Sequence, residues 1–199
     1  MSRLPPLDAD QLLYGYLHGY FPMAGGRQNR ISWYAPDPRA IIPLETYRPP
    51  RSLRPVLNQA VFEVRFDTDF EGVMRGCAAE RGDGEGTWIS EEIIRAYTEL
   101  HERGFAHSVE SWQNGVLAGG LYGVSLGAAF FGESMFYRIP NASKVAFHHL
   151  VEHLRAKNFS LLDTQFINDN VRRFGAIEIP KEDYEERLRE ALAQYVTFF

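Results

Sequence analysis

Apolar positions recur along this chain with two periods, and the changes of period mark its elements. Leu12, Leu13, Tyr16 and Leu17 share one face of a 3.6-residue repeat, so residues 8–20 predict a short helix. Asp8 or Asp10 can cap it and Gly19 can end it. The stretch FPMAGGRQNRISWYAPDPRAIIP is dense in Gly, Pro, Asn and Asp and reads as loops around short extended pieces. Residues 47–55, YRPPRSLRP, have the composition of a linker, which places a boundary near residue 45. Residues 61–66 then alternate as a strand, Asp69 caps a helix running through Cys77, and residues 79–88 form a loop. Ser90 starts a helix with Ile93, Ile94, Tyr97 and Leu100 at helical spacing, and Gly104 closes it. Residues 105–113 and 116–124 predict a hairpin around Asn114-Gly115, a strong two-residue turn signal.

The chemistry-bearing stretch follows. Apolar runs at 128–131 and 159–162 stop abruptly at polar residues, Glu133 and Ser134 after the first, Asp163 and Gln165 after the second. Between them Asn141 and Ser143 can cap a helix whose body is 144–157, and Gly127 marks a turn or bulge. A short helix runs from Asp169 towards Gly175, and Pro180 precedes a charged C-terminal helix with a solvated Glu/Arg face. Strand–helix–strand order with an antiparallel hairpin predicts a mixed α/β (α+β) fold with a mostly antiparallel sheet, not a Rossmann fold. Asp163, directly after Leu161-Leu162, must be paired, hydrogen-bonded or shifted in pKa.

Composition narrows the function classes. A chain of 199 residues can bury one core, or one core and a small annex. No apolar run approaches the ~20 residues a membrane span needs, and MSRLPPLDAD lacks the apolar stretch of a signal peptide. The single cysteine, Cys77, excludes an internal disulfide, and a cytoplasmic protein is expected. The net charge of −5 is unevenly spread: residues 1–58 carry seven arginines and four acids, a balance of +3. Such a segment on an acidic body can steer a polyanion, or simply be scattered solvated arginines. Trp33 and Tyr34, beside Pro36-Asp37-Pro38, are either the plug of a small domain or a stacking platform.

Most catalytic motifs are missing. His148, His149 and His153 share a helix, but HHLVEH lacks the H-E-x-x-H order, so no metal site is expected. There is no phosphate-binding glycine loop and no G-x-S-x-G. What remains is a set of polar groups, Glu133, Asp163, Gln165, Asn168 and Asp169, among the aromatics Trp33, Trp88, Tyr97, Phe130, Phe131 and Phe136. An apolar pocket ringed by a few polar groups is a small-substrate site. The residues alone therefore support a transferase-like α/β domain.

The strings GYFPM (19–23), SWYAPDPRAII (32–42), GTWIS (86–90), FFGESMFYRIPNASK (130–144) and LLDTQFINDN (161–170) carry a more specific signal. With them the chain resembles the bacterial leucyl/phenylalanyl-tRNA–protein transferases over nearly its whole length. The resemblance implies a small N-terminal domain over residues 1–45 and an acetyltransferase-like (GNAT-like) catalytic domain over 46–199. It implies transfer of Leu or Phe, and less readily Met, from aminoacyl-tRNA to the α-amine of proteins beginning with Arg or Lys, which marks them for N-degron degradation. It implies no cofactor, no membrane and a monomer.

By family correspondence, Asp163 and Gln165 are a relay in which Asp163 polarises Gln165 and the Gln165 carbonyl draws on the attacking amine. Positioning of an already activated ester is the open alternative. The resemblance makes Trp33 and Trp88 the holders of the terminal adenosine. Leu121, Phe130, Phe147 and Leu150 become the wall of the side-chain pocket, with Tyr97 at its border. Glu133 and Ser134 position the ester or the acceptor terminus, and Asn168 is carried over as a substrate-binding residue. Leu150 stands where the family pattern has phenylalanine and Phe147 where it has leucine, a pair of swaps that roughly conserves volume. The rival readings are a cell-wall aminoacyl-tRNA-dependent peptidyl transferase, an acyl-CoA-dependent acetyltransferase and a non-catalytic tRNA- or degron-binding adaptor. RIPNASK lacks the glycines a pyrophosphate loop needs, which speaks against the second.

Overall fold

The computed structural model describes residues 6–25, 30–79 and 87–199. Arg3, Arg27 and most of the 79–88 loop lie outside the described residues. The first helix, α1 (Ala9–Leu17), starts in a capping box: the Asp8 carboxylate accepts from Gln11 N–H at 2.8 Å and the Gln11 side chain accepts from Asp8 N–H. Its buried face is Ala9, Leu12 and Tyr16. The Gly/Pro-rich stretch beyond it holds an antiparallel pair, β1 (Phe21–Gly25) and β2 (Arg30–Tyr34), and then β3 (Arg39–Ile41). The linker-like segment is more ordered than its composition predicts. Tyr47 and Leu53 are buried, and Pro55 sits in the first turn of α2 (Arg54–Gln59), where its missing N–H costs nothing.

From β4 (Glu63–Phe66) onward the predicted elements follow in order. Asp69 caps α3 (Phe70–Ala78) and Ser90 caps α4 (Glu91–Glu102) through their side-chain oxygens. The hairpin of β5 (Ala106–Gln113) and β6 (Val116–Leu126) turns on Asn114 and Gly115, both at positive φ (51° and 76°), as a primed turn requires. β7 (Ala129–Tyr137) runs further than the apolar pattern predicts, so Glu133 and Ser134 lie inside a strand. In α5 (Ala142–Ala156) Ser143 is part of the first turn, and Asn141 precedes the helix at φ 72° with no side-chain cap bond. β8 (Leu161–Gln165), α6 (Asp169–Arg173), β9 (Ile177–Ile179) and α7 (Lys181–Leu192) complete the chain. On α7 the Glu/Arg face is solvated, but Tyr184 and Leu188 turn inward.

Seven strands form one sheet in the order β4-β5-β6-β7-β8-β3-β9. All its pairs are antiparallel except β7–β8, which α5 connects as a crossover. This mixed, mostly antiparallel sheet with one parallel pair is of the fold class that the sequence predicts. One face packs against α3, with α4 and α1 in the same apolar cluster; the other carries α5. β3 falls within residues 1–45, yet it pairs with β8 and β9 in the main sheet.

A buried ion pair ties these parts together. Arg39, 1% exposed, donates from Nε and Nη2 to Asp163, 0% exposed, at 3.0 and 2.6 Å. Its Nη1 donates to the Gly19 carbonyl at 3.1 Å, and its guanidinium lies 4.8 and 4.6 Å from the ring centres of Phe21 and Tyr184. Removing one member of such a pair strands the other charge. Arg39→Met is expected to lower the unfolding free energy by about 3–5 kcal/mol in urea titrations, and Arg39→Lys, which lacks the fork, is expected to recover only part of it.

Candidate functional site

The parallel pairing of β7 with β8 stops at Phe131↔Asp163. Beyond that point a cavity of about 230 Å³ opens between the two strands. Leu121, Phe147, Leu150 and Leu162 form its apolar lining, and Glu133, Ser134, Gln165 and Asn168 its polar one. Met23 and Trp88 also border it.

Two register shifts aim the polar groups. Tyr122 faces Ser134 and Gly123 faces Gly132, which leaves Glu133 as the extra residue of a bulge in β7. Across β8 and β3, Gln165 faces Ala40 and Asp163 faces Ile41, so Thr164 is the extra residue there. Gln165 itself sits at φ 66°, a left-handed conformation uncommon for a residue with a side chain. A bulge on each of two strands turns two side chains toward one another that regular pleating would not.

Glu133 is the centre of the resulting network. Its Oε1 accepts from Tyr16 OH at 2.6 Å and from Gln165 Nε2 at 2.7 Å, and its Oε2 accepts from Tyr97 OH at 3.3 Å. Tyr16 and Tyr97 also lie within hydrogen-bond distance of each other, and because each hydroxyl carries one proton, Tyr97 shares its proton between Tyr16 and the longer contact to Glu133. Burial pushes the Glu133 carboxyl up to about 7, and the Asp163 charge adds to the rise against the three hydrogen bonds that favour ionisation. Burial, with the Glu133 charge beside them, raises both tyrosines well above their ordinary range, so they stay protonated as donors. A carboxyl with a pKa of about 7, partly open to an apolar cavity, can exchange a proton near neutrality.

The relay expected of Asp163 and Gln165 takes a different form. Asp163 is sealed by Arg39, by Tyr184 OH at 2.7 Å and by the backbone N–H of Gln165 at 2.8 Å. It does not reach the Gln165 amide group; the carboxylate that does is Glu133. The bulge at Thr164 and the left-handed backbone of Gln165 separate the two side chains, so Asp163 holds the Gln165 backbone and Glu133 orients its amide.

The other expected residues divide between lining and support. Phe130 lies behind the cavity in one apolar cluster with Leu121, Phe147 and Leu150. Tyr97 is fully buried beneath Glu133. Asn168 borders the cavity and also caps α6, accepting from Asn170 and Val171 N–H at 2.9 and 3.1 Å. Trp88 is anchored beside the cavity, its carbonyl accepting from Ala24 N–H. Trp33 does not line the cavity; it faces Pro22 across the β1–β2 pair, and its ring rests on α1 at Gly15, where a Cβ would come within 2.2 Å of it. The residue stays 39% exposed, so it packs as a plug and still presents an aromatic face. Among the described residues no group of three or more potential ligands could hold a metal ion, and no helix is long and apolar enough to cross a membrane.

Tyr16, Arg39 and Tyr184 are not among the residues expected from the sequence. Asp163 demanded a buried partner, but PDPRAIIP does not distinguish Arg39 from the solvated arginines around it. Tyr16 and Tyr184 each occupy an apolar position of an amphipathic helix, where the only signal is a hydroxyl in place of a plain hydrocarbon.

Comparison with known proteins gives the family. Residues 41–189 match the family model described as leucyl/phenylalanyl-tRNA protein transferase, and residues 6–37 match that of its N-terminal domain. The chain is 54% identical over 192 residues to the leucyl/phenylalanyl-tRNA–protein transferase of Chlorobaculum parvum, covering 96% of this chain and 99% of that one. The Gloeobacter violaceus protein of the same name is 54% identical over 96% of both chains. That of Paramagnetospirillum magneticum is 53% identical, over 97% of this chain and 93% of its own. The chain belongs to the leucyl/phenylalanyl-tRNA–protein transferase family.

Proposed function

We propose that this protein moves leucine or phenylalanine, and less readily methionine, from aminoacyl-tRNA to the N-terminal α-amine of proteins beginning with Arg or Lys, committing them to degradation. It acts as a cytoplasmic monomer and needs no cofactor, because the donor ester is already activated. The observation that carries this reading is the apolar cavity between β7 and β8, which ends at the hydrogen-bonded pair Glu133–Gln165. In the proposal, residues 1–45 present Trp33 and residues 46–199 hold the ester.

The chemistry needs a base and an aligned ester. An α-amine has a pKa of about 7.7–8.0, so much of it is protonated near neutrality. With the donor side chain among Leu121, Phe147 and Leu150, the ester carbonyl lies beside Gln165 and Ser134. The amine nitrogen attacks that carbonyl carbon and gives up a proton to Glu133, the bond from carbon to the ribose oxygen breaks, and Glu133 returns that proton to the leaving ribose oxygen. Gln165, its Nε2 committed to Glu133, orients the acceptor through its carbonyl oxygen. Asp163 and Arg39 are positioning residues beneath it. Trp88 stacks on the terminal adenosine, with Trp33 extending the aromatic surface.

Four measurements test this. Labelled Leu- and Phe-tRNA should transfer to peptides beginning with Arg or Lys and not to those beginning with Ala; no transfer to any peptide, with tRNA binding retained, would leave an adaptor. Transfer from Val-tRNA would remove the argument from pocket shape. Glu133→Gln should lower kcat by about 10²-fold or more with a smaller change in KM, and should remove the limb of the pH–rate profile that rises through about 7. The same carboxyl affects stability. It binds its proton more tightly folded than unfolded, so its contribution is fully present below about 4.5 and lost as the pH rises to about 7; Glu133→Gln should flatten that decline. Trp88→Ala should raise the KM for aminoacyl-tRNA by about tenfold, since stacking on an aromatic contributes about 1–3 kcal/mol per base.

A further inference from the structure

A second, larger groove of about 910 Å³ adjoins the amino-acid cavity and shares Met135 and Asn170 with it. Its charge is opposite to that of its surroundings. The chain beyond residue 58 carries a net −8, yet among the described residues this groove is lined by Arg138, Lys144 and Arg173 and by no carboxylate. Arg138 donates to the Leu117 carbonyl at 3.1 Å and Lys144 to Asn141 Oδ1 at 3.3 Å, but among the described residues none of the three cations forms an ion pair. Unneutralised cations facing one hollow fit an anionic ligand.

Two further features point the same way. The groove meets the N-terminus of α5, a 15-residue helix without a side-chain cap, whose first-turn N–H groups present partial positive charge. Ser143, in that first turn, is only 5% exposed and lines the groove. Beside it stand Phe136 and Tyr137, the second 65% exposed, with the Arg138 guanidinium 5.3 Å from the centre of the Phe136 ring. Cations interleaved with exposed aromatics are how proteins hold single-stranded nucleic acid without reading its sequence.

We propose that this groove binds the phosphodiester backbone of the single-stranded 3′ end of the donor RNA, just upstream of the nucleotide that carries the amino acid. The inference rests on the aminoacyl-tRNA reading above and adds the path that the RNA takes from the cavity. The acceptor polypeptide is the poorer occupant. It enters with a cationic first residue, which three unpaired cations repel.

The test compares wild type with Arg173→Gln and with the triple variant Arg138→Gln/Lys144→Gln/Arg173→Gln. Binding of uncharged tRNA is titrated against salt, and KM is measured for aminoacyl-tRNA, for a 3′-aminoacyl-adenosine that lacks phosphates, and for the acceptor peptide. The slope of log K against log salt should fall by about 0.7 in the single variant and by about 2 in the triple, the value expected per phosphate contact on a single strand. KM for aminoacyl-tRNA should rise at least about tenfold more than KM for the aminoacyl-adenosine. An unchanged salt slope, equal penalties for both donors, or a rise confined to the acceptor peptide would overturn the proposal, the last assigning the groove to the acceptor. A wild-type protein that transfers nothing, while the slope still falls in the variants, would keep the groove as an RNA site and discard the transferase reading.

Discussion

The buried contact between Arg39 and Asp163 is what the rest of this structure is arranged to satisfy. Two opposite charges taken out of water recover the loss only when almost every donor and acceptor is matched. Here Asp163 receives the guanidinium fork, the Tyr184 hydroxyl and the Gln165 backbone N–H, while Arg39 spends its remaining donor on the Gly19 carbonyl and lies against two aromatic rings. Those partners come from the loop after α1, from β1, β3 and β8, and from α7. A requirement for local neutrality therefore becomes a requirement on the mutual placement of both ends of the chain, and the end of β8 is held where Gln165 leaves the regular sheet.

On that foundation the sheet makes its chemistry by irregularity. β7 and β8 supply rigid rails, and a single extra residue in each ladder, Glu133 in one and Thr164 in the other, breaks the alternation that would otherwise keep the side chains apart. The left-handed backbone of Gln165 costs conformational energy that the surrounding hydrogen bonds offset. The carboxyl so placed is surrounded by donors yet poorly solvated, and the balance of those opposed effects sets its protonation near neutrality. Neither tyrosine beside it competes for the proton, because burial keeps both in the neutral form.

Helix caps and the Asn-Gly hairpin were legible in the sequence because both depend on local backbone chemistry: Asp8, Asp69 and Ser90 cap as their spacing predicts. Order in the proline-rich segment was not, since the burial of Tyr47 and Leu53 comes from distant partners. The site was half legible. Polar residues after apolar runs flagged Glu133, Asp163 and Gln165, and the need for a partner to Asp163 could be stated. Which carboxylate touches the glutamine amide depends on two bulges, and a bulge has no signature in hydrophobic periodicity. Tyr16 lies 81 residues from Tyr97 and 117 from Glu133, separations that no short-range pattern spans.

The tyrosines at the two ends of the fold have a consequence for how the protein is made. Tyr16, on the first helix, touches Glu133 directly, and Tyr184, on the last, completes the shell of Asp163. A ribosome delivers the first long before the second. Between the completion of β8 at Gln165 and the addition of Tyr184, the nascent chain has the residues of both bulged strands without the hydroxyl that seals the charge beneath them. The shell around Asp163 is thus complete only once α7 has been made, and a prematurely released fragment ending before α7 lacks that last contact.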